Sequence, residues 1–132
     1  MVNVKDAPRT STTIMIRSDS NNRITHTRDP FFAIMRRLFQ KNETAQVAKN
    51  FLCLIDDRQT SGDLLKTDEW VKTCEILGIK GSSFYSMRNK LLGAGLISVK
   101  SKEYRLSNQF TLDLIDMADW WQKTMYRDRH DK

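Results

Sequence analysis

The stretch Leu64–Leu106, with the sequence LLKTDEWVKTCEILGIKGSSFYSMRNKLLGAGLISVKSKEYRL, decides the fold. It contains an apolar pair, two helical patterns separated by a turn at Gly78, and two short segments in which apolar and polar residues alternate. Apolar residues spaced by three or four positions are typical of one buried helix face, whereas strict alternation is typical of a half-buried strand. The stretch therefore predicts strand, helix, turn, helix and β-hairpin, in that order.

The two helices of this stretch have recognisable ends. Thr67 suits the N-cap of the first helix, and Gly78 suits its end, where a left-handed residue is needed. Ser82 or Ser83 is expected to cap the second helix. The residues expected to face the core are Trp70, Val71, Cys74 and Leu77 on the first helix, and Phe84, Met87, Leu91 and Leu92 on the second.

The hairpin is expected to join strands over residues 96–100 and 103–107, with Ile97 and Val99 opposite Tyr104 and Leu106. Its turn, Ser101-Lys102, contains neither Gly nor Asn. Tight type I′ turns favour those residues because both central positions need positive φ. We therefore expect a slightly longer loop.

Further helices are predicted on both sides. Asp29-Pro30 is a favourable helix start, with Asp as the N-cap and Pro at the first helical position. A second helix is expected from about Glu43 to Asp57, and a C-terminal helix from Asn108 to about Arg127. Residues 1–28 are expected to form a flexible basic segment that includes a short strand or extended run over Thr12–Arg17. Residues 29–132 are expected to form one domain.

Three features of the central stretch share a known pattern. They are the Gly78-Ile79 turn, the helix capped from Ser82, and the ending Leu91-Leu92-x-x-Gly95-Leu96-Ile97 before a basic hairpin. Over residues 44–107 this pattern resembles the winged helix-turn-helix superfamily. The flanking helices are similar to those of small plasmid partition proteins, compact transcriptional regulators and replication-initiator domains. Arg88 departs from the pattern, since an apolar residue is common at its position.

The resemblance implies a mainly α fold with a small β-hairpin wing and extra helices at both ends. It also implies that the second helix of the stretch enters the major groove of DNA. The helix residues expected to bind DNA are Ser82, Ser83, Tyr85, Ser86, Arg88, Asn89 and Lys90, with Arg88 either contacting guanine or lying on the rim. Lys100, Lys102 and Arg105 on the wing would contact the backbone or minor groove.

Positive charge is concentrated in the segments that this arrangement would place near DNA. The chain has a net charge of +6, and residues 80–105 carry six bases against one acid. Residues 1–41 carry eight bases against three acids, whereas residues 42–79 carry four against seven. A segregated basic surface is typical of a protein that binds the phosphate backbone. Solvated charges without a partner are the alternative.

The C-terminal helix has a wider apolar surface than one small domain usually needs. Large aromatic residues are enriched at interfaces, and adjacent Trp120 and Trp121 point about 100° apart on a helix. We expect this helix to form a homodimer interface, unless both tryptophans cover the domain's own core. The expected interface residues are Leu114, Met117, Trp120, Trp121 and Met125.

Nothing in the sequence predicts catalysis. His26 and His130 lie in expected tails, and no Ser-His-Asp set, glycine-rich phosphate loop or CxxC pair is present. Cys53 and Cys74 are expected to be small buried thiols. We therefore expect no enzymatic activity, no cofactor and no metal. No apolar run is long enough to span a membrane, so a cytoplasmic protein associated with the nucleoid or a plasmid is expected.

The sequence thus favours a homodimeric, sequence-specific double-stranded DNA-binding protein acting in partition or transcriptional regulation. A partner NTPase or a replication protein would fit those roles. The alternative is a winged-helix adaptor that binds proteins in a replication or partition assembly.

Overall fold

The computed structural model describes residues 13–14 and 23–126. Within these residues five α-helices and one two-stranded antiparallel sheet form a mainly helical fold. The elements are α1 Pro30–Leu38, α2 Asn42–Ser61, α3 Trp70–Leu77, α4 Gly81–Ala94, β1 Ile97–Lys100, β2 Glu103–Leu106 and α5 Gln109–Trp120. A π-helical segment, Trp121–Tyr126, continues α5, and short 3-10 turns span Ile24–His26 and Thr67–Glu69. The expected mainly α fold with a small hairpin is confirmed at this level.

Several expectations concern residues outside this description. The flexible segment 1–28 and the strand at Thr12–Arg17 lie largely outside the described residues, and so does the end of the last helix at Arg127.

The start of α1 follows the sequence prediction. Asp29 is its N-cap, and the Asp29 carboxylate accepts a 3.0 Å hydrogen bond from the Phe32 backbone N–H. Lys49 of α2 also reaches this carboxylate, at 2.9 Å. The backbone bond and then the lysine lower the pKa of Asp29. One side chain therefore caps α1 and ties it to α2.

The core lies between α1, α2, α4 and the inner face of the hairpin. Phe84, Met87, Leu91 and Leu92 of α4 are all buried, as predicted. Phe51 of α2 is fully buried among them. The expected serine cap is wrong, because α4 begins at Gly81 and its N-cap is Lys80, which makes no capping side-chain bond.

The start of α3 differs from the prediction. Thr67 is not an N-cap but is buried at the sheet edge, where its N–H donates to the Lys102 carbonyl at 2.8 Å. The Tyr104 N–H likewise donates to the Leu65 carbonyl at 2.9 Å. Leu64-Leu65 was expected to supply a strand, and this region instead joins β2 through an isolated bridge between Lys66 and Glu103.

Glu69 caps the 3-10 turn Thr67–Glu69, which leads into α3. Its carboxylate accepts a 2.9 Å hydrogen bond from the Lys66 N–H and lies 3.2 Å from an Arg58 nitrogen. The backbone bond is the main reason that the pKa of Glu69 is lowered, and Arg58 contributes further. This carboxylate links the end of α2 to the start of α3.

Two predicted core positions are wrong. Val71 on α3 is 51% exposed, and Cys53 on α2 is exposed. Cys74 is buried as expected, and burial raises the pKa of its thiol. Both cysteines are free thiols.

The hairpin has the predicted register but not the predicted turn. Ile97 pairs with Leu106, and Val99 pairs with Tyr104. The expected longer loop is wrong, because Lys100 pairs with Glu103 and leaves only a two-residue turn, Ser101-Lys102. Both turn residues have positive φ, 53° and 63°. The bond from Thr67 to the Lys102 carbonyl helps to hold this conformation.

Replacing Ser101-Lys102 by Asn-Gly should stabilise the protein. Left-handed backbone costs an ordinary L-residue roughly 1 kcal/mol or more, whereas Gly adopts it freely. We expect the double variant to raise the free energy of unfolding by about 1 kcal/mol in urea denaturation at unchanged slope. Lys102→Ala keeps the left-handed strain and should give no gain. An unchanged or lower urea midpoint of unfolding for the Asn-Gly variant would contradict the conclusion that this turn is strained.

Glu69→Ala should destabilise the protein in a pH-dependent way. Loss of a capping acceptor typically costs about 1 kcal/mol, so we expect that loss at pH 7. Because folding lowers the pKa of Glu69 from 4.5, its contribution is complete above that pH and is lost as the pH falls through the lower folded-state pKa. Urea unfolding of wild type and variant should therefore converge in acid. Glu75→Ala, an exposed change on α3, is the control. A difference in unfolding free energy between wild type and Glu69→Ala that persists in acid would contradict the role assigned to the Glu69 carboxylate.

Candidate nucleic-acid interface

A groove with mostly polar lining side chains lies between the exposed face of α4 and the start of α2. Its volume is about 430 Å³. We call it the α2–α4 groove, and it is lined by Phe39, Gln40, Lys41, Thr44, Ser82, Ser83, Ser86, Met87 and Lys90. Hydroxyls, an amide and two ammonium groups are the side chains that proteins use to contact phosphate and base edges.

The helical period of α4 explains why four of the predicted DNA-binding residues share this groove. Phe84 and Met87 are buried in the core. This places Ser82, Ser83, Ser86 and Lys90 on the opposite, exposed side of the helix. The structure therefore brings together the N-terminal hydroxyls and the lysine that were selected from the sequence.

Lys41 and Thr44 belong to the groove, although the sequence reasoning missed them. Lys41 is exposed immediately before the 20-residue helix α2, whose N-terminus carries a partial positive charge. Lys90 approaches them from α4, with its Nζ 5.5 Å from the centroid of the buried Phe39 ring. The available signal was the break at Lys41-Asn42, but only packing shows that this break lies beside α4.

Tyr85 does not face the groove. Its ring packs toward α3, 6.1 Å from the Trp70 ring, and burial raises the pKa of its phenol. Because Tyr85 is half-buried, it could contact a ligand at the margin of the exposed α4 face, but not at its centre.

Arg88 is buried, so the prediction that it contacts guanine or lies on the rim is wrong. It is 4% exposed, and its guanidinium carbon lies 4.9 Å from the centroid of the Tyr85 ring. One guanidinium nitrogen donates a 2.7 Å hydrogen bond to Oδ1 of Asn89. Asn89 itself is half-buried, at the edge of the exposed face of α4.

The three wing bases lie on the hairpin, away from the lining of the α2–α4 groove. The strand register places Lys100 and Arg105 on the outer face, with Lys102 in the turn. Arg105 lies 3.6 Å from the Glu103 carboxylate. Within residues 23–126, Lys100 and Lys102 form no ion pair, so their charge remains available to an anionic ligand.

Part of the N-terminal positive charge has a structural role instead. Arg36 donates to the Phe39 carbonyl at 2.9 Å and also to the Gln40 carbonyl, at the end of α1. Arg37 donates to the Ala33 carbonyl at 3.0 Å. Both guanidinium groups keep their charge, but backbone carbonyls use part of their hydrogen-bonding capacity.

Neither a metal site nor a membrane span is evident in the part of the chain that the structure describes. There, no three His, Cys, Asp or Glu side chains come together as potential metal ligands. Nor does any of its helices combine the length and apolar character needed to cross a bilayer.

An archaeal family matches residues 28–127. The chain belongs to this archaeal family. The matched region contains every helix and strand from α1 to the π-helical segment, and therefore both the α2–α4 groove and the hairpin. No curated protein and no solved structure matches the chain.

The C-terminal helix of this archaeal family member is largely uncovered. No residue of α5 or of the π-helical segment is buried. Trp120 and Trp121 are each 57% exposed and Met117 is 59% exposed, while Leu114 and Met125 are half-buried. The alternative that both tryptophans cover the domain's own core is therefore wrong.

Proposed function

We propose that the chain is a sequence-specific double-stranded DNA-binding protein that acts as a homodimer. The observation that carries the proposal is the α2–α4 groove, in which the exposed hydroxyls of α4 lie beside Lys90 of the same helix and Lys41, which directly precedes α2. Helix α4 would enter the major groove with its N-terminal residues, and the hairpin would contact the backbone or minor groove.

The order of elements supports a winged helix-turn-helix core over residues 42–106. Helices α3 and α4 are joined by a short turn at residues 78–80, with Gly78 left-handed at φ 71°, as in helix-turn-helix motifs. A hairpin follows α4, and Leu65–Thr67 hydrogen-bonds along its second strand. Such an arrangement projects a hairpin wing beside the second helix.

The charges support distinct roles for the two surfaces. Lys41, Lys90, Lys100 and Lys102 would neutralise phosphates, which gives affinity without sequence preference. Ser82, Ser83, Ser86 and Asn89 would read base edges, with Tyr85 at the margin. Partition of plasmids or chromosomes and transcriptional regulation are the processes that such a protein would serve, in the cytoplasm and in association with the nucleoid or a plasmid.

A two-fold dimer through α5 would complete the DNA-binding unit. The apolar stripe of α5 and the π-helical segment consists of Leu114, Met117, Trp120, Trp121 and Met125. It is self-complementary under two-fold symmetry, because the same residues meet on both copies. A symmetric pair would present two α4 helices to half-sites about 34 Å apart.

The exposed stripe of α5 also favours a second candidate function. In that alternative the protein is an adaptor in a replication or partition assembly, and α5 binds a different protein, such as a partner NTPase or replication protein. Light scattering with and without duplex DNA separates the two proposals, because a monomer that ignores DNA favours the adaptor.

Lys100→Ala combined with Lys102→Ala should weaken binding to all duplex sequences alike. Each lost phosphate contact reduces the slope of log affinity against log salt by about 0.9, so the double variant should lose roughly 2 units of slope. Fluorescence anisotropy titrations at several salt concentrations measure this. Lys72→Ala, which removes an exposed charge from the acidic stretch 42–79, should leave the slope unchanged. A flat salt dependence for the wild type would overturn the proposed function.

Met117→Glu combined with Trp121→Glu should produce a folded monomer. The domain should stay folded because α5 contributes no buried residue to the core, while two buried charges would block the dimer. Sedimentation gives the oligomeric state and circular dichroism the helix content. Affinity for a two-site duplex should fall by about 100-fold as avidity is lost.

Thr111→Glu is the matched control, because it adds a charge to an exposed position of α5 outside the stripe. It should remain dimeric. A wild-type protein that sediments as a monomer even when bound to DNA would exclude the dimer.

A further inference from the structure

Arg88 is a buried charge with too few partners. It is 4% exposed, and its Nε and one terminal nitrogen, Nη1, have no hydrogen-bond partner. Among the described residues no carboxylate forms an ion pair with it. A buried guanidinium in this state is costly compared with an apolar side chain of similar size. Its position on α4 therefore calls for a role other than stability.

The surroundings of Arg88 hold the guanidinium in place. It lies over the face of the Tyr85 ring, 4.9 Å from the centroid. Tyr104 of β2 packs on the same region. Burial raises the pKa of the Tyr104 phenol, and the charge of Arg88 and its side-chain hydrogen bond with Tyr104 act in the opposite direction. Two aromatic residues from different elements thus restrict the arginine.

The remaining nitrogen of Arg88, Nη2, holds Asn89 in one orientation. It donates a 2.7 Å hydrogen bond to Oδ1 of Asn89, which is short, as charge-assisted bonds are. A guanidinium only donates, so it must contact the amide oxygen and not the amide nitrogen. The contact therefore selects one of the two flips of the Asn89 amide.

Asn89 lies on the face of α4 that is proposed to meet DNA. Ser82, Ser86 and Asn89 are spaced by four and then three residues, which places them on one side of a helix. Both serines line the α2–α4 groove. An amide with a fixed flip on this side would present its Nδ2 donor in a defined direction, and purines offer the N7 acceptor in the major groove.

We propose that Arg88 is a positioning residue, which orients the Asn89 amide so that Nδ2 donates to N7 of a purine. This inference rests on the proposed DNA-binding function. Arg88 itself does not touch DNA in this arrangement. It acts from inside the domain by removing the alternative amide flip, so that base discrimination at one position depends on a buried residue.

The test is selection of bound sequences from a random duplex pool with wild type, Asn89→Ala and Arg88→Met. Wild type should prefer a purine at one position of each half-site, and Asn89→Ala should lose about tenfold of that preference. In Arg88→Met the purine preference at the same position should fall at least about threefold. The double variant should lose no more of this preference than Asn89→Ala alone. Lys72→Met removes an exposed charge outside the proposed interface instead, and should leave the preference intact.

Stability separates this role from a merely structural one. Because Met fills the site without unpaired donors, Arg88→Met should melt at the same temperature as wild type or higher. Loss of purine preference together with retained stability supports positioning. Full preference in Arg88→Met, with Asn89→Ala relaxed at that position, overturns the inference while leaving DNA binding standing.

A measurement on the free protein keeps the test valid if Arg88→Met fails to fold. The hydrogen bond to Asn89 should shift the NMR signal of the Arg88 Nη2 protons, so this signal should move toward the value of an unbonded guanidinium in Asn89→Ala. An Nη2 signal that is the same in both proteins would overturn the inference without reference to DNA. A wild type that selects no duplex sequence would overturn the proposed function, and the inference with it.

Discussion

Phe51 is the residue on which the arrangement of the domain depends. Its ring packs edge-to-face against Phe84 of α4 at 5.2 Å and against Tyr104 of β2 at 5.4 Å. Each ring comes from a different element, and all three are buried. Because protein interiors are close-packed, this contact sets the orientation of α4 and the hairpin relative to α2. The exposed face of α4 and the α2–α4 groove follow from that orientation.

Two places in the structure go against local preference, and both lie beside the surface proposed to bind DNA. Arg88 is a charged residue in the core, and Ser101-Lys102 holds two non-glycine residues at positive φ. Ordinary folding physics would favour an apolar residue at the first place and Asn-Gly at the second. Departures of this kind are expected where function competes with stability. Tertiary contacts hold both places in their observed conformation. Tyr85 and Tyr104 lie around Arg88, and Thr67 hydrogen-bonds to the turn.

The features that were predictable depend on short-range chemistry. The Asp29 cap, the stop at Gly78, the inward face of α4 and the register of the hairpin follow from capping, from positive φ at glycine and from apolar periodicity. The failures share a different cause. Thr67 is held at the sheet edge by a hydrogen bond to Lys102, 35 positions later. Val71 fits the apolar pattern of α3, but no element within residues 23–126 covers it, and it is 51% exposed.

The sequence by itself determined which segments are helical, where the glycines end them, and which α4 residues are polar, because these properties depend on neighbours within one or two turns. Only the tertiary structure decided that Arg88 is inside and Asn89 at the surface, that Lys41 and Thr44 join the serines of α4, and that Trp120 and Trp121 are uncovered. These outcomes depend on how elements far apart in the chain pack together. Burial is a property of that packing, and the periodicity of a single helix does not specify it.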